Sequence, residues 1–253
     1  MITADLRGKT MLVTGGASGI GLAAAGMFAR CGAKVALNHL SDDPRGPAEI
    51  SRMRASGLDV VAAPGDVGDP IAARRMVGDA MRSLGRLDFL LNNAGTPGAE
   101  RPFDPHDLSA MSEPLWQRLL GVNLLGPFRC VEAAAPHLRS TRGAIVNTAS
   151  IAGLGGQASS MAYAATKAAL INLTRNLARA LAPEIRVNAV APGLVDSPWT
   201  KNWPQARKQA SVAGTMLKRM CAPDDVAEAM LYLCAGAAFV TGHTLVVDGG
   251  RSY

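Results

Sequence analysis

The chain has 253 residues, 48% hydrophobic and 18% charged, which is enough apolar material for a sizeable core and too much for wholesale disorder. A formal net charge of +6 raises a nucleic-acid surface, but that would need Lys and Arg clustered on one face with interleaved aromatics, and here the arginines are dispersed and aromatics are only 4%. No apolar run approaches the ~20 residues of a membrane span, the first residues lack signal-peptide character, and Cys31, Cys130, Cys221 and Cys234 form no CxxC pair, so a reducing, cytoplasmic setting without disulfides or metal is expected.

Lys9 to Thr14 is a short apolar run that fits a buried parallel strand. It ends in Thr14-Gly15-Gly16-Ala17-Ser18-Gly19-Ile20-Gly21, and an Ala-rich amphipathic run follows to about Arg30, with Gly32 as its stop. In the order strand, glycine turn, helix, glycine permits positive φ and a close approach to a pyrophosphate. The helix N-terminus then offers unpaired N–H groups and a favourable dipole to the anion. A tight turn without a ligand is the alternative.

The second strand, Lys34 to Leu37, ends at Asn38 and His39. In a dinucleotide fold an acid here binds the adenosine ribose and selects NAD, while a nearby Arg accepts the extra phosphate of NADP. Neither type stands at the strand end, and Asp42 and Asp43 come slightly late. Loss of the acid removes a repulsion and tips the reading toward NADP. A third strand, Asp59 to Ala63, leads to Gly65-Asp66-Val67 and a helix from Ile71 to Leu84. Asp66 either faces a ligand or shapes the turn and caps that helix. Leu87 to Leu91 is the fourth strand and runs into Asn92-Asn93-Ala94-Gly95.

Thr96 to Pro114 contains Pro97, Pro102, Pro105 and Pro114, which rule out a long helix. The segment is either a surface excursion or a rim over an active-site mouth. From Leu115 the spacing turns helical, through Gly121-Val122-Asn123-Leu124 and past Pro127 to His137. The β-branched run Ala144 to Thr148 stops at Ser150, and a Gly-rich link enters a periodic helix from Ala162 to Leu181. Tyr163 and Lys167 project from one face of it, about a turn apart. A neighbouring ammonium favours phenolate and lowers the pKa of a phenol.

Ile185 to Val190 is the sixth strand and ends in Ala191-Pro192-Gly193-Leu194-Val195-Asp196-Ser197. Pro198 to Met220 carries Trp199, Trp203 and a Lys/Arg-rich helical stretch, and its indoles are either packing residues or an apolar lid that excludes water. Pro223 to Cys234 is a helix with Asp224 and Asp225 suited to its first turn, and Val240 to Gly250 supplies a last strand. No repeat or linker composition divides the chain, so one domain over residues 1–253 is expected.

In order and spacing these motifs resemble the classical short-chain dehydrogenase/reductase family. The matching landmarks are TGxxxGxG at Thr14 to Gly21, NNAG at Asn92 to Gly95, Asn123, Ser150 thirteen positions before the YxxxK of Tyr163 and Lys167, Pro192-Gly193, and the closing Asp248-Gly249-Gly250. The resemblance implies an α/β fold: a doubly wound, Rossmann-type parallel sheet of about seven strands with helices on both faces and the site at the strands' carboxyl ends. It implies NAD(P)(H), with Gly15, Ser18, Gly19, Ile20 and Gly21 at the pyrophosphate turn and His39 at the position of the selecting acid. Ser18 stands where many NADP-preferring relatives carry Arg or Lys. Asp66 and Val67 would lie beside the adenine, and Asn93, Ala94 and Gly95 would line the cleft. Pro192, Gly193, Val195 and Ser197 would meet the nicotinamide carboxamide, with Ser197 in place of the commoner Thr.

By the same resemblance Tyr163 is the acid and base of carbonyl–alcohol interconversion and Ser150 the partner of the carbonyl oxygen. Lys167 is a ribose ligand that also lowers the pKa of Tyr163, and Asn123 supports a proton relay through its backbone. The substrate implied is a small ketone or alcohol, or a sugar or polyol. A 3-oxoacyl carrier-protein ester is the alternative, but Thr141 and Glu184 fall at or beside the basic docking positions of such reductases, with Arg139, Arg142 and Arg186 close by. A non-catalytic cofactor-binding regulator is the reading of another class, and the intact Ser, Tyr and Lys speak against it. Relatives are commonly homotetramers, and no nucleic acid or membrane partner is implied.

Overall fold

In the computed structural model, which describes residues 3–252, seven short apolar runs form one parallel sheet. They are β1 (Thr10–Val13), β2 (Lys34–His39), β3 (Val60–Pro64), β4 (Phe89–Asn92), β5 (Ala144–Thr148), β6 (Arg186–Pro192) and β7 (Thr244–Val247). The helices are α1 (Gly19–Arg30), α2 (Arg45–Ala55), α3 (Pro70–Leu84), α4 (Glu113–Leu120), α5 (Gly126–Thr141), α6 (Met161–Leu181), α7 (Gln205–Gly214) and α8 (Pro223–Leu231). Across the sheet the strands run β3-β2-β1-β4-β5-β6-β7, so the winding reverses between β1 and β4. That reversal leaves a crevice at their carboxyl ends, the place where such sheets bind ligands.

Period-two alternation sends neighbouring strand residues to opposite layers. Met11, Val13, Val35, Leu37, Phe89, Leu91 and Val146 pack with Met27 and Phe28 of α1 and Met230 and Leu231 of α8. Leu12, Ala36, Leu90, Ile145 and Val187 pack on the other face with Val77 and Ala80 of α3, Val131 and Leu138 of α5, and Leu177 and Leu181 of α6. Phe28 meets Phe89 edge to face at 5.8 Å, and burying such a ring contributes about 2–3 kcal/mol.

The helix ends are set by local chemistry. The Asp69 carboxylate accepts from the backbone N of Ile71 at 2.9 Å and of Ala72 at 2.6 Å, Pro70 fills the first turn of α3, and Gly85 ends it at φ +78°. Asp69 therefore caps α3, and Asp66 instead accepts from Gly68 N at 2.7 Å in the preceding turn. At α6 the Ser160 hydroxyl accepts from Tyr163 N at 3.0 Å, which fixes the helix start and places Tyr163 in its first turn.

Some boundaries differ from those read in the sequence. α2 had no sequence counterpart, because Ile50 and Met53 are its only large buried residues amid charged ones. β2 extends through His39 and β6 through Pro192. α4 starts at Glu113, with Pro114 in its first turn, where a missing N–H has no partner to lose. α5 runs beyond His137 to Thr141, and a π-helical turn, Gly121–Leu125, joins it to α4. All four cysteines are free thiols. Among the described residues no helix is long and apolar enough to cross a membrane.

Candidate active site

A cavity of about 710 Å³ opens at the carboxyl ends of the strands. Its floor is a hydrogen-bonded junction between the turns after β1 and β4. Thr14 Oγ1 accepts from Asn93 N at 2.9 Å and Ala94 N at 3.0 Å, and Asn93 Nδ2 donates back to Thr14 O at 3.0 Å and Gly15 O at 3.1 Å. Gly15 adopts φ +63°, and a Cβ there would come within 2.9 Å of Ala94 Cα, so both conformation and space require glycine. From the other side Asn38, 2% exposed, accepts from Gly15 N at 3.0 Å and donates to Ala63 O and Gly65 O at 2.9 Å each. α1 begins at Gly19 with no side-chain cap from Ser18, which leaves its first N–H groups for an anion. A glycine cradle at an uncapped helix N-terminus fits the pyrophosphate of a dinucleotide.

The adenosine side corrects one expectation. Asp43 and Arg45, an acid and an arginine, both line the cavity beyond β2, although the sequence places neither at the strand end. The chain curls after His39, with Asp43 N donating to Leu40 O at 3.1 Å, and this brings both back to the mouth. Arg45 grips Asp43 through Nε at 2.9 Å and Nη2 at 2.8 Å, which holds the carboxyl below its ordinary range. His39 lines the same wall, 6% exposed, with Nδ1 2.8 Å from Leu40 O and Nε2 buried without a partner. Asp66 and Val67 complete this end.

At the other end Ser150, Tyr163 and Lys167 share the cavity wall. Ser150 Oγ accepts from Ala152 N at 3.2 Å. Lys167 is 3% exposed, donates from Nζ to Thr148 O at 2.7 Å, and lies 5.6 Å from the centre of the Tyr163 ring. Burial pushes the Tyr163 phenol up to about 12, with the Ser150 hydroxyl pulling the other way, and burial brings the Lys167 ammonium down to about 8. The expectation that Lys167 lowers the phenol is therefore corrected. The same desolvation that weakens the ammonium penalises phenolate, and that penalty outweighs the pull of the Ser150 hydroxyl.

Asn123 is fully buried within the π turn. It accepts from Thr96 N at 2.8 Å and donates to Thr96 O at 3.0 Å and Thr166 Oγ1 at 3.3 Å. Asn123 and Gly21 stand behind the cavity wall; the other residues expected at the site, through Pro192, Gly193, Val195 and Ser197, line it. Thr96 and Pro97 also line it, and Phe103 N donates to Ser159 O at 2.8 Å, so the proline-rich segment is a rim at its start and exposed for much of its remainder.

Sequence reasoning missed Asn38, Arg45, Ser159 and Arg207 in this wall. Arg207 on α7 stacks 4.8 Å from the Trp203 ring centre, and Trp199 and Trp203 both line the cavity. The four-residue spacing from Trp203 to Arg207 was the available signal. Arg186, considered for docking an acidic partner, is instead spent inside the fold, donating to Leu233 O and Cys234 O at 2.7 Å each.

A family profile described as enoyl-(acyl carrier protein) reductase matches residues 15–252. The chain is 41% identical over 245 residues, 94% of each chain, to a protein named as a ketoacyl reductase of the granaticin polyketide synthase in Streptomyces violaceoruber. It is 36% identical to meso-2,3-butanediol dehydrogenase of Serratia marcescens, covering 96% of this chain and 94% of that one. Among solved structures, a blue fluorescent protein from a metagenomic library in complex with NADPH superposes with a TM-score of 0.88 at 33% identity, covering 99% of this chain and 100% of the other.

Proposed function

The chain belongs to the short-chain dehydrogenase/reductase family of NAD(P)-dependent oxidoreductases, and from that premise we propose that it interconverts a carbonyl and a secondary alcohol on a small molecule. The observation that carries this is the meeting of Ser150, Tyr163 and Lys167 in one cavity with the glycine cradle after β1. Gly15, Gly19 and the first N–H groups of α1 would hold the pyrophosphate, and Val195 and Ser197 the nicotinamide carboxamide. When bound, the nicotinamide supplies or accepts the hydride.

The chain's own work is to polarise the carbonyl and move one proton. Ser150 Oγ–H donates to the carbonyl oxygen and stabilises the charge that grows there. Tyr163 Oη passes its proton to that oxygen in reduction and takes it back in oxidation. A phenol held at about 12 is fully protonated near neutrality, which suits the acid role. Lys167, largely protonated below about pH 8, faces the phenolate left behind. Trp199 and Trp203 form the apolar part of the lid.

For the cofactor we favour NADP, because Arg45 at the adenosine end of the cavity would meet an extra phosphate, although Asp43 on Arg45 offsets part of that charge. Purified protein is tested with NADPH and NADH side by side against ketones, sugars and alcohols, and an acetoacetyl carrier protein, following nicotinamide absorbance. Turnover of a small ketone with NADPH preferred is expected. No cofactor turnover across the panel in either direction overturns the catalytic reading.

Reduction of a carrier-protein ester is the second reading, favoured by the name of the granaticin relative. The internal use of Arg186 weighs against it, and faster turnover of the carrier-protein substrate than of any ketone would select it. We also propose a homotetramer. The four residues of the edge strand β7 are only half-buried, and Phe239 and Tyr232 nearby are exposed. Light scattering should give about 105 kDa for four 26.2 kDa chains, and a mass near one chain contradicts it.

A further inference from the structure

The cavity is charged unevenly in a way that carbonyl chemistry alone does not use. Its two acids, Asp43 and Asp66, follow β2 and β3, whereas no acid of residues 148–163 or 193–211 lines it, Asp196 standing outside the lining. In that wall the half-buried Arg207 stacks over Trp203 and donates from Nη2 to Ala158 O at 2.7 Å, and it pairs with no carboxylate among the described residues. Burial lowers its pKa, the mark of a guanidinium without a compensating charge. Ser159 Oγ and Trp203 Nε1, on residues of the same wall, also lack partners, but both atoms are buried away from the cavity. Arg251 lines the cavity too, packed against Gly214 of α7.

A partly desolvated guanidinium with unused N–H groups, stacked and held at one end, is pre-organised for a planar oxyanion. We propose that the substrate is a carbonyl compound that also carries a carboxylate, bound by Arg207 while its carbonyl lies at Ser150 and Tyr163. This rests on the carbonyl–alcohol reading. Ala158, which anchors Arg207, precedes Tyr163 by five residues, so the guanidinium and the phenol border one short stretch of the same cavity wall.

The test compares 4-oxopentanoate and 4-acetylbenzoate with their methyl esters, which keep the ketone and remove the charge. The parent enzyme should favour each acid over its ester by roughly tenfold or more in kcat/KM. In Arg207→Gln the acid-to-ester ratio should fall toward one, chiefly through a higher KM for the acid, and Arg207→Lys should recover part of it. A structural role through Ala158 and Trp203 lowers acid and ester together, and that outcome, or a parent enzyme indifferent to the charge, overturns the proposal. Calorimetric titration with 4-acetylbenzoate and its ester separates the two readings without turnover. Charge-dependent binding lost in Arg207→Gln but no reduction of any ketone sinks the oxidoreductase reading and leaves the anion site standing. Ketone reduction without charge dependence does the reverse.

Discussion

Tyr163→Phe is expected to lower kcat for carbonyl reduction by roughly 10³-fold, within the ~10²–10⁴ range of a positioned general acid. Phe keeps the ring in the first turn of α6, where Ser160 holds the Tyr163 backbone N, so the helix start and the wall around it are retained. Only the phenolic hydroxyl, with its proton, is removed. Cofactor affinity, measured by fluorescence titration, should stay close to that of the parent, because the cradle at Gly15, Thr14 and Asn93 lies on other elements. A variant that keeps rates within about tenfold would place the acid elsewhere, because a lost general acid costs at least ~10².

Lys167→Met should separate stability from catalysis. Lys167 titrates at about 8 in the folded chain against 10.5 for a free side chain. Between those values the unfolded chain binds more protons, so stability rises with pH across that window. The penalty of burying the charge is full below about pH 8 and gone above 10.5. The shift corresponds to about 3 kcal/mol, and losing the hydrogen bond to Thr148 O gives back about 1, so the variant should be about 2 kcal/mol more stable near pH 7. That advantage should vanish by pH 10.5, which thermal melts across the range would show. Turnover should nevertheless fall by about 10²–10³, since the buried cation facing the developing phenolate is lost. In the parent, the reduction rate should decline as pH rises through about 8. A variant less stable than its parent at pH 7 contradicts the burial argument.

Much of this site was legible because its parts are contiguous in the chain. The glycine turn, Asn92 to Gly95, and Tyr163 with Lys167 each act within a few residues of themselves, at the end of a strand or the start of a helix. Asn38 was not legible, since its role depends on β3 and the glycine turn arriving on either side of it. Arg45 needed the curl after β2, and Arg207 needed α7 to lie over the link at Ala158. The direction of the Tyr163 shift failed for the same reason: spacing reveals a neighbouring charge, but the water excluded by the surrounding fold is a tertiary property. Pro114 shows the converse error, a residue read as a helix breaker that sits where a helix tolerates it.

The most direct measurement uses reduced cofactor carrying deuterium at both nicotinamide C4 positions and mass analysis of the product from the best ketone of the panel. One deuterium on the carbinol carbon, with the hydroxyl proton taken from solvent and formation abolished in Tyr163→Phe, is the predicted result. Cofactor oxidation that leaves the product free of deuterium, or deuterated alcohol formed at parent rates by Tyr163→Phe, would contradict hydride transfer assisted by Tyr163.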